Sequence, residues 1–497
     1  MLRIPMLAAL FLSMTPLVSF TPFAEAQSIE ETARILPAIA SEGGTFGNRL
    51  SLEGQWLAIG ADFDAGEIGR GRIDVHRRIA GQWCLHQSIE APDGFDGDHF
   101  GMPVVIRDDR MIVGMPWDDD RGNRAGAVHV YRLISDEWTW MQKLLPGVSD
   151  DTGALFGASC VFGRDKNEII AGAFLESIET ETEGGAWIFR DQGDGYVLRQ
   201  RLSLPGTHPS SYFGRSIDVE NGVLAIGLPG LLGEIGFRHG GVAIHSIDGD
   251  DWSLDGVLVP ADPLPYQVFG ESIDLEADRL AVGSPFEDTF GPDFGAVHMY
   301  RMIGGQPLLE TVFGPEEEVR SFGFPVKLDG DARRLASGAY AASLEGSFQG
   351  GAAWIHERRD GTWSNVTRLR PTNPGTGDFF GIDIAFNGDE VFVGVPRHDG
   401  VATDGGGVAR FELEDCDDSG YIDAWELSHG SDENGDGVMD GCQGIPGDLN
   451  ADGVVDGIDL GMFTSLWGTD GSLGGDINGD GVVDGGDIAL ILSDWNG

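Results

Sequence analysis

The sequence predicts an all-β fold: a seven-bladed β-propeller closed by an N-terminal strand, with a small α-helical domain at the C-terminus. Three observations predict it. Phe-Gly recurs at Phe46, Phe100, Phe156, Phe213, Phe269, Phe322 and Phe380, at intervals of 54, 56, 57, 56, 53 and 58 residues. A period of that size marks a propeller, a solenoid or an array. Glycine supplies 77 of 497 residues against 23 prolines, with no Gly-x-y period, as many tight turns between short strands require. Residues 411–497 carry 21 acidic side chains and neither Lys nor Arg, so they form a region of a different kind.

Each repeat has one internal order. A short strand follows Phe-Gly, as at Arg215-Ser216-Ile217-Asp218-Val219, and a tight turn such as Glu220-Asn221-Gly222 ends it. An apolar strand ending in Gly comes next, as at Leu224-Ala225-Ile226-Gly227 and Leu280-Ala281-Val282-Gly283. A variable loop leads to a third strand opening with Gly, at residues 126–131, 241–245 and 295–300. A fourth strand often opens with Trp, as at Trp138, Trp252 and Trp363. Four short antiparallel strands with no helical period between them make one propeller blade. The seventh unit lacks its fourth strand, because the chain turns acidic after Phe411. Residues 32–39 stand before the first Phe-Gly, where fourth strands stand before every later one. They are therefore expected to complete blade seven and remove two exposed sheet edges.

Composition bounds the function. With 81 acidic and 32 basic residues the formal charge is -49, which argues against nucleic acid and anionic membranes as partners. A hydrophobic content of 41% with 27 Phe is enough to bury a real core. Arg3, an apolar run over 6–23 and Ala24-Glu25-Ala26 read as a signal peptide over 1–26, so a secreted, extracellular chain is expected. No later stretch is apolar for the roughly 20 residues that span a bilayer, so no membrane span is expected. Four cysteines are too few for a disulfide framework. Cys84 and Cys160 read as small buried strand residues. Cys416 and Cys442 bracket an acidic segment, where they either pair in an oxidising compartment or stay free.

The acidic tail is spaced like a set of metal loops. Asp415, Asp417, Ser419, Gly420, Tyr421, Asp423 and Glu426 take positions 1, 3, 5, 6, 7, 9 and 12 of an EF-hand-type loop, with Ile422 at the apolar position 8. Calcium needs six to eight hard oxygens, which side chains at 1, 3, 5 and 12 and a carbonyl at 7 supply, while Gly permits the sharp turn. Asp432, Asn434, Asp436, Gly437 and Asp440 begin a second loop whose position 12 is Gln443. Two further loops match each other at an offset of 28 residues. Asp448, Asn450, Asp452, Gly453, Asp456 and Asp459 form one; Asp476, Asn478, Asp480, Gly481, Asp484 and Asp487 form the other. An amphipathic stretch follows each and ends near Trp467 or Trp495. Matched loops with matched flanks point to Ca2+ as a structural ion. The chain thus divides into a signal peptide at 1–26, a propeller at 27–411, acidic loops at 412–445 and a calcium-binding domain at 446–497.

The Phe-Gly units, with endings such as Gly114-Met115-Pro116, Gly227-Leu228-Pro229, Gly283-Ser284-Pro285 and Gly394-Val395-Pro396, resemble the FG-GAP repeats of integrin-type propellers over residues 32–411. Integrin-type repeats place an Asp-rich calcium loop between the first two strands. Here that connection is short, as at Glu53-Gly54 and Asp108-Asp109, so no blade calcium site is carried over. Residues 446–497 resemble a type I dockerin, a duplicated calcium loop plus helix, closed by Asp rather than Glu. That resemblance implies a cohesin-like partner. The positions that usually select it are often hydroxylated, and here they are Gly457-Ile458 and Gly485-Gly486.

No Gly-x-Ser-x-Gly elbow, His-Glu-x-x-His or phosphate loop is present. His76, His245 and His356 occupy the third-strand position that holds Tyr131, Phe189, Tyr300 and Phe411 in other blades, and read as half-buried stand-ins for an aromatic. His129 and His298 read the same way. Acid-rich loops at Asp93, Asp96, Asp98 and His99, at 118–121, at Glu287-Asp288 and at 397–399 read as a solvated rim, with a cation, sugar or basic partner as the functional alternative. The best reading is a non-catalytic recognition or scaffold protein. Its propeller binds an extracellular glycan or protein and its tail docks to a partner. The alternatives are a polysaccharide-degrading enzyme or its accessory subunit, and an adhesion protein.

Overall fold

The computed structural model describes residues 28–416, apart from 40, 64–69, 148–151, 179–180, 205–209, 234–235, 316, 344–345 and 360. In the tail it describes 422–423, 447, 449, 455–469, 475, 477, 481–493 and 495. The expected signal peptide lies outside these residues.

The strands form seven four-stranded antiparallel blades. The fourth blade shows the pattern, with strands Ile217–Glu220, Val223–Gly227, Val242–Asp248 and Asp251–Leu258 in that order. First strands of successive blades touch, from Arg49–Glu53 round to Ile384–Phe386 and back, so they ring a central axis. Second strands are buried along their length, while fourth strands alternate toward solvent on the outer edge. That alternation places Cys84, on the fourth strand Gln82–Ile89, at the surface rather than inside as expected. Cys160 is buried, and desolvation pushes its thiol above the usual range.

Closure follows the sequence expectation, with a shorter strand. Ala33–Ile35 pairs antiparallel with Gly407–Glu412 and completes the seventh blade. Pro37 has no N–H to offer, so the ladder cannot continue through 39. Ile29–Glu30 adds a contact that the repeats did not announce. It pairs in parallel with Leu369 and Arg370 at the edge of the sixth blade, so the N-terminal segment ties blades six and seven together.

Phe-Gly is the seam between blades. All seven Phe rings are at most 1% exposed. Each pairs in parallel with the Gly that opens the preceding blade's third strand, as Phe269 does with Gly240, and Phe46 does with Gly406 across the closure. The following Gly has positive φ, and a Cβ there would meet the neighbouring blade's backbone: 2.4 Å from the Gly241 carbonyl oxygen at Gly270, 2.3 Å from that of Gly407 at Gly47. Only glycine allows both the dihedral and the approach. The off-period pairs at Phe162, Phe294 and Phe313 lack this role, which is why period rather than dipeptide identifies the repeat.

A second latch joins the outer strands. The Gln87 amide donates to the Trp138 carbonyl at 3.1 Å and accepts from the Trp138 N–H at 2.9 Å. Gln142 repeats this on Tyr196, and Gln200 on Trp252. Four consecutive blades are thus pinned edge to edge by one residue type.

The tail carries two helices, α1 (Gly457–Leu466) and α2 (Gly485–Ser493). Val455, Phe463, Val483 and Ile491, all 0% exposed, form their common core. Ile422 packs elsewhere, in the cluster of Phe386, Phe411 and Leu413 on the seventh blade. Among the described residues no helix is long and apolar enough to cross a membrane.

Candidate functional site

Of the calcium-loop residues read from sequence, Asp415, Asp423, Asp456, Asp459, Asp484 and Asp487 are described. Asp417, Ser419, Tyr421, Glu426, Asp432, Asn434, Asp436, Asp440, Asp448, Asn450, Asp452, Asp476, Asn478 and Asp480 lie outside the described residues. The described ones fall into a repeating geometry. Asp456 caps α1: its Oδ1 accepts the Ile458 N–H at 2.6 Å, and Asp459 returns the contact by accepting the Asp456 N–H at 2.9 Å. Asp484 and Asp487 repeat both bonds at α2, each at 2.8 Å. The second oxygen of each closing carboxylate accepts one more backbone N–H, from Leu449 to Asp459 and from Ile477 to Asp487, both at 2.8 Å. Asp459 and Asp487 are 0% exposed. Two buried carboxylates at helix N-termini, in an acidic segment without a single Lys or Arg, are an arrangement that hard-cation chemistry fits. In the first loop, Asp423 Oδ1 accepts the Cys416 N–H at 2.9 Å. Cys416 is disulfide-bonded; Cys442, weighed as its partner, is outside the described residues. Among the described residues no group of three or more His, Cys, Asp or Glu side chains is arranged to hold a metal.

The histidines stand where aromatics stand in other blades. His245, His298, His129 and His356 lie 5.0 to 6.2 Å from the Phe of Phe-Gly, edge to face. Burial pushes His129 and His245 down to about 4, so both rings are neutral at physiological pH.

The acid-rich loops do not form a plain solvated rim. Lys143 Nζ lies 2.6 Å from Asp118, 2.6 Å from Asp120 and 3.1 Å from Asp93, so three loop carboxylates converge on one ammonium. Glu287 is buried, with His298 Nε2 at 2.7 Å and the Thr289 hydroxyl donating at 2.6 Å. These acids order the loops rather than standing free.

The axis holds a charged cluster that the sequence reading missed. The residue five beyond each Phe of Phe-Gly lies at one level of the first-strand ring. There Val105, Val161 and Ala385 are apolar, Ser51 is polar, and Asp218, Asp274 and Lys327 are charged, in three successive blades. Each Asp latches the next blade: Asp218 accepts the Leu275 N–H at 2.6 Å, and Asp274 the Leu328 N–H at 2.7 Å. Lys327 donates to the other oxygen of Asp274. Glu276 lies one layer along, in a channel cavity of about 580 Å³. Burial, reinforced by Asp274, pushes Asp218 up to about 6 and Glu276 up to about 8. The folded state therefore holds a proton on Glu276 that the unfolded chain releases above its ordinary value of 4.5. The stability this gives is complete below about 4.5 and is lost as pH rises through 8. Glu276→Gln is expected to raise urea-unfolding stability by about 1 kcal/mol at pH 9 and to leave it unchanged at pH 4.

Comparison with known proteins agrees with this architecture. Residues 83–131 match the FG-GAP repeat. The match runs from the fourth strand of the first blade to the third strand of the second, across the Phe100-Gly101 seam. A search of curated proteins finds no match to the chain. The chain carries an FG-GAP repeat and folds as a seven-bladed β-propeller, which fits a binding or adhesion platform.

Proposed function

We propose that this is a secreted, calcium-binding recognition or scaffold protein. The propeller presents its loop face to an extracellular glycan or protein. The tail folds around Ca2+ and serves as a dockerin-like docking module. The observation that carries the reading is the matched pair Asp459 and Asp487. Each is fully buried, closes a loop of the same spacing, and accepts the same two backbone N–H groups. Burying two carboxylates is costly even with these hydrogen bonds, and a divalent cation would offset the charge while coupling its binding to folding. The Cys416 disulfide supports an oxidising, extracellular setting.

Calorimetric titration of Ca2+ into the chelator-stripped chain tests this. Asp459→Asn together with Asp487→Asn is expected to lower the calcium stoichiometry and weaken the remaining affinity at least tenfold. A double variant that takes up calcium as the parent does sinks the tail assignment.

A further inference from the structure

The loop face carries a repeated stacking contact. The aromatic that follows one blade's second strand packs on the residue just before Phe-Gly of the next. Phe63 meets His99 at 5.8 Å, Phe174 meets Tyr212 at 6.2 Å and Tyr340 meets Phe379 at 6.2 Å. Guanidinium groups cover several of these rings, with Arg238 over Tyr212 at 5.6 Å and Arg397 over Phe379 at 4.8 Å. Among the described residues the stack forms at three of the seven junctions; it is absent between the fifth and sixth blades, as it is where Thr45, Leu155 and Val268 precede Phe-Gly. Phe286 holds the first position, but Ser321 holds the second.

Beside Ser321 lies a cleft of about 750 Å³. Tyr266, Phe286, Tyr340 and Phe348 line it, and Phe348 is 65% and Tyr266 63% exposed. Among the described residues neither Phe286 nor Phe348 has a ring or guanidinium partner. Asp293, Arg320, Ser343 and Gln349 also line it. They supply charged and neutral hydrogen-bond donors and acceptors around the apolar floor. A few placed polar groups over an aromatic surface are the make-up of a small-ligand site.

We propose that this cleft binds a neutral oligosaccharide, with Phe286 and Phe348 as stacking surfaces; the proposal rests on reading the propeller as a recognition platform. A pyranose has an apolar C–H face rimmed by hydroxyls. Its slightly positive hydrogens meet the negative π-face, and its hydroxyls meet the polar rim. Asp293 and Arg320 cancel in charge, so the cleft selects no ion of its own. The net charge of -49 disfavours an anionic chain.

The test is affinity electrophoresis of the full chain, with calcium, through gels cast with β-glucan, xylan, galactomannan or starch, and with alginate as an anionic control. At least one neutral polysaccharide is expected to retard the protein while alginate does not. Phe348→Ala and Ser321→Phe are each expected to weaken retention about tenfold or more. The first removes an exposed ring. The second adds one beside the cleft, on a backbone whose positive φ of 65° matches His99, Tyr212 and Phe379 at 58°, 60° and 56°. No retardation by any neutral polysaccharide overturns the saccharide proposal. Retention kept by both variants overturns the cleft and leaves a recognition platform that binds elsewhere. The calcium assignment of the tail is tested separately, by the titration above.

Discussion

Gly270→Ala is expected to destabilise the propeller by about 2–5 kcal/mol in urea unfolding, combining backbone strain with forced displacement of a packed neighbour. Gly270 sits at φ +88°, and its new Cβ would lie 2.4 Å from the Gly241 carbonyl oxygen, which is backbone and cannot swing away. The contact joins two blades, so relief at one seam opens a gap there or presses on the next. Gly249→Ala separates the two causes. Gly249 also has positive φ, at +64°, but nothing lies within 4 Å of its added Cβ. It is expected to lose only about 1 kcal/mol. Equal losses at the two positions would contradict the seam as the reason for the Phe-Gly repeat.

Lys327→Met is expected to cost about 2–3 kcal/mol at pH 8 and clearly less at pH 5. Removing one partner of an ion pair leaves the other charge unmatched in the fold. Asp274 is 2% exposed and loses its ammonium, while Asp218 and Glu276 lose the cation that offsets their mutual repulsion. The Lys327 side chain is 39% exposed to the channel, and this water keeps the loss below that of a sealed pair. Acid relieves the variant because the crowded carboxylates take up protons there. A loss of the same size at both pH values would contradict an electrostatic role for the axial cluster.

Much of the fold was legible because a propeller repeats its constraints. Phe-Gly marks the one place in each unit where blades approach closely, so its period counts the blades. The N-terminal closing strand was legible by elimination, from a unit lacking its last strand. Other features were hidden because their partners are backbone atoms or distant residues. Nothing local to Gln87, Gln142 or Gln200 says that its amide clasps the next blade's main chain. Lys143 lies 50 residues from Asp93 and 25 from Asp118. Asp218, Asp274 and Lys327 share an offset from Phe-Gly, yet only the ring of first strands makes that offset a common height. In the tail, the 28-residue offset pairs Asp459 with Asp487, and the two repeat each other's backbone bonds. The cleft was illegible because its lining comes from four separate stretches, around Tyr266, Phe286, Arg320 and Phe348.

The proposed function makes the propeller an autonomous platform and the tail a segment that folds only around calcium. Differential scanning calorimetry of the full chain, with calcium and then with excess chelator, tests this. Two transitions are expected with calcium. Chelation should abolish the tail's transition and leave the propeller's at the same temperature. Two transitions that persist unchanged in chelator would contradict it.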